Sequence, residues 1–65
     1  MDEDIISILK ERAKRKIEEG KIKQAIEILK DVIFLLRKEN RYEEADLIEL
    51  TMNQYHDDYY QKKNS

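Results

Sequence analysis

Apolar residues recur along most of this chain at steps of three and four, which is the period of an α-helix, and no segment alternates for long with the period of two expected of a strand. The pattern predicts three helices, at about residues 2–19, 21–39 and 42–60, within a single domain over residues 1–61. Residues 62–65 are predicted to be a frayed tail. The predicted fold class is therefore all-α, a three-helix antiparallel bundle.

Each predicted helix carries one apolar face, and the face of the second helix is the widest. In the first helix the apolar positions are Ile5, Ile6, Leu9, Ala13 and Ile17. In the second they are Ile22, Ala25, Ile26, Leu29, Val32, Ile33 and Leu36, with Ile28 and Leu35 beside them and Phe34 on the far side. In the third they are Ala45, Ile48, Met52, Tyr55 and Tyr59, broadened by Leu47 and Leu50. A helix with so wide an apolar surface should touch more than one neighbour, so the second helix is predicted to be central.

Two residues predict the breaks between the helices. Gly20, the only glycine, can adopt the left-handed conformation that ends a helix. The alternative is a glycine inside one continuous helix, which would cost about 1 kcal/mol relative to alanine. Asn40 is the next-best residue type for such an end. Because both connections are short, consecutive helices are predicted to be antiparallel neighbours.

The segment from Ile6 to Glu39 resembles one tetratricopeptide (TPR) unit. The residues at or near that motif's small and hydrophobic positions are Ala13, Gly20, Ile22, Ala25, Leu29 and Val32. The segment NRYEEA, residues 40–45, resembles the opening of another unit's second helix. This resemblance implies a TPR-like helical hairpin followed by one helix, about one and a half units. A weaker likeness, carried by length and hydrophobic pattern alone, is to Rop-like helical hairpins, which pair into four-helix dimers.

Composition and charge narrow the classes of function. The 65 residues include 13 basic and 15 acidic side chains, for a net charge of -2, so there is no strong field to attract nucleic acid or an anionic membrane. The absence of cysteine excludes disulfides and thiolate metal sites. The longest apolar run, residues 32–36, is far shorter than the roughly 20 residues of a membrane span. Residues 1–4 are acidic, unlike a secretory signal, so we expect a cytoplasmic protein without a membrane partner.

Candidate catalytic and metal-binding residues are few. One glycine cannot build a phosphate-binding loop, and nothing supports a catalytic pairing of a serine with His56. His56 beside Asp57 and Asp58 suggests a metal, but zinc usually takes three or four ligands, mostly histidine or cysteine. We therefore interpret His56 as a solvated histidine near a helix end, and we expect no enzymatic activity, no cofactor and no bound metal.

A basic stretch offers an alternative function. It comprises Lys10, Arg12, Lys14, Arg15, Lys16, Lys21 and Lys23, of which Lys10, Lys14, Arg15 and Lys21 form the candidate surface. These side chains spread around the polar circumference and alternate with glutamates, whereas a nucleic-acid surface should be one-signed and continuous. We interpret the stretch as a solvated face. A Rop-like dimeric regulator that binds nucleic acid through it stays as the alternative.

The aromatic residues favour protein–protein interaction, because tyrosine is enriched at interfaces. We expect a small non-catalytic interaction module of bacterial or phage type, an adaptor or inhibitor that docks a helix face on a larger protein. The predicted partner-binding residues are Ile28, Phe34, Leu35, Tyr55, Tyr59 and Tyr60. Core packing explains Tyr55 and Tyr59 nearly as well, and Phe34 forms either an exposed patch or a contact with the first helix or a second copy.

The small size of the chain predicts self-association. A chain this short buries only about 60% of the surface that its unfolded form exposes, so its stability is marginal. We therefore expect self-association, most simply a dimer whose seam is formed by the second or third helix. A designed helical protein without natural function is a further alternative, which very high thermal stability as a monomer would favour.

Overall fold

The computed structural model describes the backbone of residues 4–64 and the side chains of residues 4–61. It consists of three α-helices: α1 (Ile5–Glu18), α2 (Ile22–Lys38) and α3 (Tyr42–Asn64). The all-α, three-helix prediction is confirmed, with helix ends of α1 and α2 close to those predicted. The main difference is at α3, which continues to Asn64, so that residues 62–64 are helical where a frayed tail was predicted. Gln61 and the two lysines after it are good helix formers, and Asn64 is the first turn-favouring residue in that stretch. The predictions for residues 2–3 and for Ser65 lie outside the described residues.

Helix α1 begins at Ile5, about three residues later than predicted, because Asp4 is its N-cap. The Ile6 backbone N–H donates to Asp4 Oδ1 at 3.1 Å, which satisfies one of the amides that a helix start leaves without a partner. The negative charge of Asp4 also suits the positive end of the helix dipole. The cap therefore defines where α1 starts.

Both turns have the left-handed residue that the sequence predicts. Gly20 has φ of 79° and Asn40 has φ of 62°. At the first turn, Lys21 N–H donates to Lys16 O at 2.7 Å and Gly20 N–H to Ile17 O at 3.0 Å. This pair of bonds is the Schellman ending of a helix.

The second turn repeats the first. Arg41 N–H donates to Leu36 O at 2.9 Å, and Asn40 N–H donates to Arg37 O at 3.0 Å. Asn40 Oδ1 also accepts a hydrogen bond from the Tyr42 hydroxyl at 2.9 Å, across the turn. Two tight reversals of the same kind place the three helices side by side with alternating directions.

Helix α2 lies between the other two, as its wide apolar face predicts. It contacts both α1 and α3, whereas no described Cα atom of α1 comes within 8 Å of one in α3. The Cα atoms extend over 44 × 22 × 12 Å, so the helices form a long, thin arrangement. Each outer helix therefore keeps a broad side away from the core.

The core lies around α2. Its main cluster consists of Ile6, Val32, Ile33, Leu36 and Ala45, with Leu9, Leu35, Ile48 and Met52 packed against it. The buried alanines Ala13, Ala25 and Ala45 have almost no exposed surface, which allows the helices to approach closely. Burying one large aliphatic side chain contributes about 1.5–3 kcal/mol, so this cluster is the main source of stability.

Three residues predicted on inward faces are exposed instead. Ile5 is 56% exposed, Leu47 is 63% exposed and Leu50 is 61% exposed. The prediction was wrong for them because each outer helix has only one neighbour, and a single neighbour covers a narrow stripe. Leu50 lies nearly opposite the buried stripe of α3 at about 100° per residue. Ile5 lies about 100° around α1 from the buried Ile6.

Arg41 connects the turn before α3 to the start of α1. Its guanidinium lies 2.6 Å from Glu44 Oε2, 3.7 Å from Asp4 Oδ2 and 3.8 Å from Glu39 Oε2. The hydrogen bond to Glu44 raises the pKa of Arg41 above its ordinary value, and the other two carboxylates act in the same direction. Arg41 therefore links carboxylates of three segments: the N-cap of α1, the end of α2 and the first turn of α3.

Candidate protein-interaction surfaces

Several large apolar side chains remain on the surface of this small fold. The exposed ones among the described residues are Ile5, Phe34, Tyr42, Leu47, Leu50 and Tyr60. Isolated exposed apolar residues are normal, and only those that share a surface with others of their kind indicate an interaction site. Their grouping on the helices therefore matters more than their number.

Phe34 lies on the solvent side of α2 with 62% of its surface exposed, so it does not pack on α1. Lys38 Nζ lies 5.5 Å from the centre of its ring, a cation–π arrangement one helical turn away. Ile28 and Leu35 are half-buried on a neighbouring side of the same helix. We call Ile28, Phe34 and Leu35 the α2 patch.

The three predicted tyrosines lie together near the end of α3. Tyr55 and Tyr59 are half-buried on the inward face, and Tyr60 is 45% exposed. The rings of Tyr59 and Tyr60 meet edge to face with centroids 5.3 Å apart, and His56 lies 4.5 Å from the Tyr60 ring. We call Tyr55, Tyr59 and Tyr60 the tyrosine cluster. His56 is exposed beside it and contributes a ring contact.

The structure separates these two groups. Phe34 lies one turn before the end of α2, beside the turn that leads into α3. Tyr60 lies 18 residues after the first residue of α3, which is about 27 Å along the helix axis. Phe34 and Tyr60 therefore lie near opposite ends of α3.

Leu47 and Leu50 form a third surface that the sequence prediction did not include among the partner-binding residues. With Glu43, Asp46, Asp57 and Asp58 they occupy an arc of about 120° on the side of α3 away from α2. We call these six residues the α3 outer face. The signal was present in the sequence, because the inward stripe through Ala45, Ile48 and Met52 is complete without either leucine.

The basic candidate surface is exposed but mixed in charge. Lys10, Lys14, Arg15 and Lys21 all face solvent. Lys21 Nζ lies 3.5 Å from Glu19 Oε1. An open depression of about 500 Å³ runs along α1 and is lined by Asp4, Ser7, Ile8, Glu11, Arg12 and Arg15. Two acids and two arginines share this lining, so this side of α1 does not present a continuous positive surface.

His56 and the aspartates beside it are the candidate metal ligands that the sequence suggests. His56 Nδ1 lies 3.7 Å from Asp57 Oδ1, an ion pair only when the imidazole is protonated. Within residues 4–61 no group of three histidine, cysteine, aspartate or glutamate side chains is arranged to hold a metal ion. In the same range no buried side-chain nitrogen or oxygen lacks a hydrogen-bond partner.

Comparisons with protein-family models, with curated proteins and with solved structures found no match to this chain. The resemblances to a TPR unit and to Rop-like hairpins therefore stay predictions. None of the helices within residues 4–64 combines the length and the apolar character that a bilayer span requires.

Proposed function

We propose that this chain is a small, non-catalytic protein–protein interaction module of the cytoplasm, an adaptor or inhibitor that docks a helix face on a larger protein. The observation that carries the proposal is Phe34, a large aromatic side chain with 62% of its surface exposed on the most apolar helix. Interface energy concentrates in a few aromatic or aliphatic anchors that enter a pocket on the partner. Phe34 has the size and the exposure of such an anchor.

The neighbours of Phe34 suggest how the partner would be oriented. Ile28 and Leu35 are half-buried and would extend the apolar contact along α2. Lys38, which lies over the Phe34 ring, would sit at the edge of the contact and meet a carboxylate of the partner. Charges at the rim of an interface influence orientation and association rate more than affinity.

The tyrosine cluster would form a second contact. Tyr60 is exposed, and its ring is held in place by Tyr59 and His56. A tyrosine that is already ordered loses little conformational entropy on binding. Because this cluster lies far from Phe34, a partner that uses both must be long enough to follow α3.

The test is affinity capture from the native host with the wild-type chain and with Phe34→Ala. We expect a captured protein whose recovery falls at least tenfold with Phe34→Ala, since loss of an interface anchor costs at least about 2 kcal/mol. Ile5→Ala is the matched control, because Ile5 is similarly exposed on another helix. Equal recovery with both variants would contradict the role of Phe34.

The alternative proposal is a nucleic-acid-binding regulator that uses the basic stretch. One observation favours it: Lys10, Lys14 and Arg15 are exposed and form no ion pair with any side chain in residues 4–61. Binding to a phosphate backbone would weaken steeply between roughly 50 and 200 mM salt, whereas an apolar interface would respond little. Copurifying RNA that is released by salt, without a captured protein, would favour this alternative.

A further inference from the structure

The α3 outer face combines exposed leucines with carboxylates. Leu47 and Leu50 lie one helical turn apart, and each has more than 60% of its surface in solvent. Glu43 and Asp46 lie one turn before the leucines, and Asp57 and Asp58 follow two turns after Leu50. From Glu43 to Asp58 the face is about 22 Å long, which is about four helical turns.

The charge of this face is not neutralised within the described part of the chain. No lysine or arginine occurs between Tyr42 and Gln61. The two other acids of that segment are paired, Glu44 with Arg41 at 2.6 Å and Glu49 with Arg37 at 3.1 Å. Glu43, Asp46 and Asp58 form no ion pair with any side chain in residues 4–61, and Asp57 contacts only His56 at 3.7 Å. The paired acids thus border α2, and the unpaired acids surround the leucines.

A second copy of this chain could cover the α3 outer face in two ways, and the charges at the contact distinguish them. A second copy of this chain that paired through the same face would bring carboxylates against carboxylates, and like charges placed together across an interface cost several kcal/mol. A second copy that offered its α1 side would bring acids as well as bases against this face, since Asp4 and Glu11 line the depression along α1 together with Arg12 and Arg15. Within the described residues, neither of these two arrangements would pair all four carboxylates with bases while covering both leucines.

We propose that the α3 outer face docks a basic amphipathic helix of a partner protein. In the complex, apolar side chains of that helix cover Leu47 and Leu50, and its lysines or arginines meet Glu43, Asp46, Asp57 and Asp58. The length of the face fits a partner helix of about four turns. The partner's apolar residues would recur at steps of three or four, because only that spacing forms one apolar stripe between two basic flanks.

This proposal deepens the proposed function, since it rests on the chain being an interaction module and adds the chemistry of one partner. It does not depend on Phe34, because the α2 patch belongs to another helix. Variants of the two surfaces therefore distinguish the two proposals.

The experiment is a titration of the full chain against a fluorescent synthetic helix of leucine and lysine, amphipathic and about four turns long. The matched control peptide has the same leucines and glutamate in place of lysine. We expect saturable binding to the lysine peptide, at least tenfold weaker binding to the glutamate peptide, and a loss of affinity as salt is raised. Circular dichroism and the elution volume of each variant check that the fold is intact.

Three variants determine whether the face is the site. Leu47→Ala with Leu50→Ala should weaken binding of the lysine peptide about tenfold, because the leucines are the only large apolar groups on the face. Asp46→Asn with Asp57→Asn should weaken binding severalfold and make it less sensitive to salt. Phe34→Ala should leave it unchanged.

Two outcomes would overturn the proposal. If the leucine double variant binds the lysine peptide as well as the wild-type chain does, the attraction is only non-specific charge. If Phe34→Ala weakens binding as much as the leucine double variant does, the peptide uses the α2 patch. In either case, affinity capture that depends on Phe34 would still support the interaction module. Conversely, if that capture fails and the lysine peptide still binds, only the α3 outer face would remain supported as a binding surface.

Discussion

Gly20 and Asn40 show how single residues determine the architecture. Both adopt positive φ, and both close a helix with the same pair of backbone hydrogen bonds. Left-handed backbone is strained for residues with a Cβ atom, and glycine and asparagine tolerate it best. The chain uses its only glycine at one of the two positions that need it and an asparagine at the other.

Replacing Gly20 by alanine is expected to lower the free energy of unfolding by about 1–2 kcal/mol, the cost of a Cβ in left-handed backbone. No heavy atom lies within 4 Å of the position that the Cβ would occupy, so the loss would come from backbone strain and not from a clash. Urea denaturation measures it. Asn40→Gly is the control and should change the stability by less than about 0.5 kcal/mol, because glycine and asparagine both tolerate the left-handed position after a helix. A stability gain with Gly20→Ala would indicate a continuous helix.

Leu36→Ala is expected to lower the free energy of unfolding by about 2–5 kcal/mol, because Leu36 is 1% exposed and belongs to the core cluster. Leu50→Ala is the matched control at an exposed position, and its effect should stay within about 0.5 kcal/mol. Denaturation curves of the two variants provide the comparison. Equal losses would mean that Leu50 is covered in solution.

At the scale of the elements, the three helices differ in how much of their surface is covered. Helix α2 has neighbours on two sides, and its whole predicted stripe is buried or half-buried. The Cα atoms of α1 and of α3 each come within 8 Å of those of α2 but not of each other, so that one narrow stripe of each outer helix is covered. The outer sides of α1 and α3 are therefore free for contacts with other molecules.

Asp4→Ala is expected to lower the stability by about 1 kcal/mol through loss of the N-cap of α1. Asp4→Asn retains a side-chain oxygen that can accept from the Ile6 amide, so its effect should be smaller. Thermal unfolding followed by circular dichroism measures both variants. If both lose the same amount, the negative charge of Asp4, which lies 3.7 Å from Arg41, matters more than the cap.

At the scale of the whole molecule, the elongated shape limits the core. The radius of gyration is 12.4 Å, compared with about 11 Å for a compact domain of this length. A long, thin arrangement buries less apolar surface for each residue than a compact one does, and small domains often gain stability by association. In the absence of the larger partner, self-association through the α2 patch would bury Phe34, so the second copy and the larger partner would compete for the same surface.

We therefore predict a dimer whose stability depends on concentration. The melting temperature should rise when the protein concentration is raised, because association stabilises the folded state by mass action. Light scattering should give twice the chain mass of 7.9 kDa. Phe34→Ala should shift the equilibrium toward the monomer, and Leu50→Ala should not. A mass of one chain at every concentration, with a constant melting temperature, would contradict this prediction.

The sequence by itself determined the helices, the two turns and the face of α2 that forms the core. Local chemistry suffices for these features, because helical period, left-handed residues and an apolar stripe depend only on neighbours along the chain. The angle of Phe34 on α2 placed it away from the apolar face, but it left open whether Phe34 is exposed or packs on α1 or on a second copy. The end of α3 was predicted too early, since no strong stop signal marks it.

Only the tertiary structure decided which apolar residues outside the main stripes are covered. The helical period alone did not reveal that Ile5, Leu47 and Leu50 are exposed. They face solvent because α1 and α3 each pack beside one helix, α2. The separation of Phe34 from Tyr60 likewise depends on the antiparallel course of α2 and α3. Burial is a property of how many surfaces meet at a residue, and that number is set by the packing of the helices and not by the period along any one of them.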